Sequence, residues 1–135
     1  MKKVMLFIAS IALAQTAFAQ ASKVPDAAKM AFAKAYPNAD DVKWELEDGN
    51  FEVEFEMADD QEMSVVYDAN GTQLETEVEI AFSELPKAAQ EALKGKKVKE
   101  TAKITNAKGV VTYEAEVRRK DLMFDATGQK VSRGK

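Results

Sequence analysis

The chain has no cysteine and no histidine among its 135 residues. Without thiols there is no disulfide framework, and lipid attachment through an N-terminal cysteine, as in bacterial lipoproteins, is chemically impossible. Without imidazole or thiolate, the commonest general base, the thiol nucleophile and the usual ligands of zinc, copper and haem are also missing. Long apolar runs are scarce too. Val4–Leu13 is followed by Gln15 and Thr16 and interrupted by Ser10, well short of the roughly twenty apolar residues a spanning helix needs.

What stands at the N-terminus fits an export signal. Lys2 and Lys3 precede the apolar stretch, and Ala17-Phe18-Ala19 has the small-x-small pattern of a signal-peptidase site. The expectation is a signal peptide over residues 1–19, a mature chain from Gln20, and a periplasmic or secreted product without a stable membrane anchor. Residues 20–135 suffice for one domain. They carry seventeen basic and twenty-three acidic residues, a net charge of −6, which argues against a nucleic-acid partner.

Periodicity then separates helices from strands. Val24, Ala28, Ala31, Phe32, Ala35 and Tyr36 share one helical face, with Pro25 in the first turn and Pro37 ending the run. Leu85, Ala89, Ala92 and Leu93 repeat that spacing, with Pro86 near the start and Gly95 where a helix C-cap is expected. After each helix the period changes to two. Val42, Trp44 and Leu46, then Phe51, Val53, Phe55 and Met57, alternate with charged residues around the turn Asp48-Gly49-Asn50. Further strands are expected over 62–67, 72–80, 98–105, 110–119, 120–124 and 129–133, with Asn70-Gly71 as a hairpin turn.

The two halves answer each other. Val24-Pro25-Asp26-Ala27-Ala28 matches Leu85-Pro86-Lys87-Ala88-Ala89, and Asp68-Ala69-Asn70-Gly71 matches Asp125-Ala126-Thr127-Gly128. The expected fold class is α+β: a tandem duplication of a helix followed by a four-stranded antiparallel sheet, with the helices packed on the sheet. Repeats of about 24–80 and 85–133 would form one domain around a shared core. This order, with its L/V-P-x-A-A helix starts and aromatic-D-A-x-G strand ends, resembles the PepSY-like family of secreted and periplasmic proteins, related to the beta-lactamase-inhibitor-like fold. The resemblance covers nearly all of the mature chain. It implies an inhibitor or binding module without an established catalytic site, and it carries over no functional residue.

Charge is distributed unevenly. From Ala39 to Ile80 there are fifteen acidic residues against Lys43 alone, and from Leu85 to Lys135 thirteen basic against six acidic. Alternation places Glu52, Glu54 and Glu56 on one face of a strand and Glu75, Glu77 and Glu79 on one face of another. The bland reading is a solvated outer face. The sharper one is a docking surface for another exported protein or a cationic ligand, with Glu52, Glu54, Glu56, Glu75 and Glu77 as solvent-facing binding carboxylates. Pairing of the acidic half with the basic half of another copy is a further option.

Neither a cofactor nor a metal is expected. Asp68-Ala69-Asn70-Gly71 resembles the start of a calcium-binding EF-hand loop, with Glu79 at position twelve, but Gly71 falls at position four instead of six and strand alternation follows. A hairpin turn accounts for both Asp-Ala-x-Gly copies. Trp44 and the strand aromatics read as core. Glu45, Glu52 and Glu54 could supply a glycosidase-like acid pair, but sequence alone fixes no carboxyl separation. The reading is thus a non-catalytic exported binding or inhibitor-like module, with a weak carboxylate-dependent hydrolase or a self-assembling structural protein as alternatives.

Overall fold

The computed structural model describes residues 23–132, so the expected signal over residues 1–19 lies outside the described part. Helix α1 spans Asp26–Ala35. Pro25 precedes it in extended conformation, and its carbonyl accepts from the N–H groups of Ala28 and Lys29. Proline suits this place because helix-start N–H groups have no intrahelical acceptor. The helix closes at Tyr36, whose N–H donates to the Phe32 carbonyl, and Pro37 cannot continue it.

Four strands follow, β1 (Asp40–Glu47), β2 (Asn50–Met57), β3 (Gln61–Tyr67) and β4 (Gln73–Glu79). Helix α2 (Lys87–Ala92) comes next, then β5 (Val98–Asn106), β6 (Val111–Val117), β7 (Lys120–Asp125) and the two-residue β8 (Lys130–Val131).

The strands form one antiparallel sheet in sequential order from β1 to β8. This corrects the expected pair of four-stranded sheets. The reason is the pairing of Glu75–Glu79 on β4 with Ala102–Asn106 on β5, which joins the halves through a continuous backbone ladder. A strand edge left unpaired at β4 would expose a row of N–H and C=O groups, and β5 satisfies them.

The register shows how one sheet supports two cores. A row of directly paired residues runs Phe55, Met63, Val78, Lys103, Tyr113, Phe124 across β2 to β7. Its left end lies under α1, where Val24, Ala28 and Phe32 pack with Val53, Phe55, Val65 and Tyr67. Its right end lies under α2, where Leu85, Ala89 and Leu93 pack with Ala115 and Phe124. Exposed Lys103 stands between them. The shared core anticipated from sequence is therefore two clusters, because both helices are short and neither reaches the seam.

Aromatic rings order the first cluster. The Phe32 ring lies edge-on to Phe55 at 5.0 Å and to Trp44 at 5.6 Å between centroids, and Tyr36 lies 4.7 Å from Phe55. These separations are in the favourable range for aromatic pairs. Trp44 is half-buried against this cluster.

Candidate functional site

Because side chains alternate across a strand, the residues between the core positions all point to the opposite face. There a second row runs Lys43, Glu54, Ser64, Glu77, Ile104, Thr112, Asp125 from β1 to β7. A neighbouring row runs Glu45, Glu52, Val66, Glu75, Asn106. Both buried clusters that include a helix lie on the other side of the sheet. Glu52, Glu54, Glu56, Glu75 and Glu77 are thus brought onto one face by strand pairing.

Depth differs from the sequence expectation. Glu52 is 5% exposed and Glu77 2%, so these two are buried instead of solvent-facing. Glu54, Glu56 and Glu75 are half-buried. Alternation assigns a face and carries no information about how neighbouring side chains screen it. Glu114 and Glu116 on β6 are buried on the same face, opposite Ala102 and Glu100 of β5, and were not singled out from sequence. Their signal was present in the alternation of Tyr113-Glu114-Ala115-Glu116-Val117, which matches Phe51–Phe55.

Crowding acids together changes their protonation. Burial pushes the Glu52 carboxyl up to about 9, helped by the negative charge of Glu47 and a hydrogen bond to it, and opposed by a hydrogen bond from Ser64. A carboxyl in that position is neutral at pH 7. Glu54 is also raised, first by burial and then by Glu45, with Lys43 opposing. The first strands therefore carry less negative charge than a count of glutamates gives.

Neither Glu52 nor Glu54 lines the cleft that holds Glu79 and Glu100. This cavity of about 610 Å³ lies between α2 and the start of β5, walled by Ile80, Phe82, Leu93 and Val98. Several of its rim charges are paired, though Lys96 on the same rim is paired with no described residue. Lys94 lies 3.7 Å from Glu91, and Lys99 lies 3.7 Å from Glu100 and 3.6 Å from Glu116. Burial raises Glu100 against the pull of Lys99.

Among the described residues no cluster of three or more acidic side chains is placed to hold a metal ion, and no helix is long and apolar enough to cross a membrane. Asp68, the first residue of the EF-hand-like segment, uses its Oδ1 to accept from the N–H groups of Asn70 and Thr72 at 2.8 and 2.9 Å. That oxygen closes a turn, as the hairpin reading requires.

No protein-family model and no curated protein matches the chain. Solved structures do. A BLIP-like protein from Bacteroides fragilis is 27% identical with a TM-score of 0.63, the match covering 80% of this chain and 84% of that one. A DUF2874 family protein from Bacteroides uniformis is 21% identical with a TM-score of 0.70, covering 80% and 86%. A protein from Bacteroides eggerthii, provisionally assigned to the periplasm, is 16% identical with a TM-score of 0.72, covering 81% and 86%. The beta-lactamase-inhibitor-like part of the resemblance stands on these structures, whereas no matching model supports membership of the PepSY-like family. The chain has a BLIP-like fold.

Proposed function

We infer that the chain is a non-catalytic binding module that works outside the cytoplasm and recognises another protein through the face of the sheet opposite the helices. The observation that carries this reading is the register, which aligns Glu54 and Glu56 of β2 and Glu75 of β4 as partly exposed carboxylates on one surface. The BLIP-like neighbour supports protein binding, and the Bacteroides eggerthii neighbour supports a periplasmic location. Glu52 and Glu77 then act from beneath, by fixing the shape and charge of the surface. The partner is basic where it meets β2 and β4, because desolvating these carboxylates against a neutral surface would leave buried charge uncompensated.

The test is retention of an exported protein by the tagged chain from Gln20, compared with a variant combining Glu54→Gln, Glu56→Gln and Glu75→Gln. Loss of one defined partner from the triple variant, with an unchanged melting temperature, supports this reading. Equal retention by both proteins sinks it.

A further inference from the structure

A second surface, separate from the sheet face, lies at one end of the strands. The β2–β3 loop, residues 58–60, and the β6–β7 turn, residues 118–119, open at the same end, because every strand between them is antiparallel to its neighbour. The first loop carries Asp59 and Asp60, beside Asp40 at the start of β1. The second carries Arg118 and Arg119, followed by Lys120, beside Lys96 and Lys97 at the start of β5. All are exposed, and none of them forms an ion pair with a described residue.

The turns do not require these charges. Asp59 and Asp60 have φ of 67° and 57°, and Arg118 and Arg119 of 53° and 62°, a conformation that glycine and asparagine adopt at less cost. Four strand spacings separate the two tips, about 19 Å. That exceeds the Debye length of about 8 Å at physiological salt, so a partner meets an acidic tip and a basic tip as distinct sites. A uniformly charged surface would be attracted by one and repelled by the other.

We propose that this end is an interface with a second copy of the chain. A two-fold axis normal to the sheet turns the molecule end over end and exchanges left with right. It sets the Asp59-Asp60 tip of each copy against the Arg118-Arg119 tip of the other. Both contacts are satisfied by one closed symmetric dimer, which is the commonest oligomer geometry. A two-fold axis running along the end would set like charges together, so the charge pattern selects one arrangement.

Sedimentation velocity of the full mature chain at about 100 µM tests this in low salt and at about 0.5 M salt. The expected result is a dimer in low salt that dissociates in high salt. Reversing one tip, Arg118→Glu with Arg119→Glu, gives a monomer, and adding Asp59→Lys with Asp60→Lys restores the dimer. A monomer for the wild-type chain in low salt overturns the proposal, as does a dimer that survives reversal of one tip. A second measurement avoids charge reversal altogether. The chain has no cysteine, so Asp59→Cys and Arg119→Cys proteins, mixed and oxidised, should form mainly the mixed disulfide dimer. A statistical mixture of disulfides rules the arrangement out.

Discussion

A Cβ built on Gly71 would lie 2.5 Å from the carbonyl oxygen of Ala27, so the β3–β4 turn sits directly against the first turn of α1. The same contact occurs in the second half, where a Cβ on Gly128 would lie 2.7 Å from the Ala89 nitrogen. Both glycines have positive φ, 81° and 87°. Gly109, at φ 78°, has nothing within 4 Å of its Cβ position. Gly109→Ala should therefore cost only the backbone term, about 1 kcal/mol. Gly71→Ala and Gly128→Ala add a steric clash and should cost about 2–4 kcal/mol in urea unfolding. Equal losses at all three sites would show that close packing against the helices contributes nothing.

Glu52 makes stability depend on pH in an unusual direction. Its folded carboxyl titrates near 9, against an ordinary value of 4.5. Between those values the folded state holds a proton that the unfolded state has released, so stability falls as pH rises through this window. Glu52→Gln should flatten that decline and make the protein more stable than wild type at pH 8 by on the order of 1–3 kcal/mol. Parallel declines in both proteins would contradict an uncharged Glu52.

Tyr67 lies in the first core with its hydroxyl buried and no hydrogen-bond partner. Burial, with a contribution from Tyr36, pushes that hydroxyl up to about 12. Because an unsatisfied buried hydroxyl is a cost, Tyr67→Phe should leave stability unchanged or raise it by about 1 kcal/mol. A loss above that size would mean that the hydroxyl is satisfied in solution.

The Asp68 and Asp125 carboxylates are held below their ordinary value. Asp68 accepts foremost from the Thr72 backbone, and Asp125 from the Thr127 side chain and the Gln129 backbone. A depressed folded value stabilises the protein above about pH 4, and this stabilisation is lost as pH falls through the folded value. The β5–β6 turn shows that a neutral amide can replace the carboxylate, since Asn106 Oδ1 accepts from Lys108 and Val110 at 2.9 and 3.0 Å. Asp68→Asn with Asp125→Asn should keep both turns, as read by amide exchange at Asn70 and Thr127, while reducing acid sensitivity below about pH 4. Rapid exchange at neutral pH would show that the charge itself closes the turns.

Individual strands were legible because one buried face imposes a period of two on Phe51–Met57 and Tyr113–Val117. Their union was not. The ladder between Glu75–Glu79 and Ala102–Asn106 has no hairpin turn, since α2 intervenes, and pairing of that kind leaves no local mark in composition. The glutamate face was legible as a face, but the burial of Glu52 and Glu77 depends on neighbours from other strands. The left-handed Arg118-Arg119 turn was also hidden, because arginine is not a turn-forming residue and only the two-residue connection forces it there.

Sequential strand order has a consequence for how the protein is made. Each strand pairs with one already formed just before it, so a chain emerging N-terminus first from a ribosome or a translocation pore can grow its sheet by adding one strand at a time. No strand must wait for a distant partner, which keeps loop-closure entropy small and places the topology among fast folders for an all-antiparallel sheet. The growing edge is a vulnerable surface during this process, as is the outer edge of β1, which pairs only with β2. Once growth is complete the sheet stops on the two-residue β8, too short to template another chain.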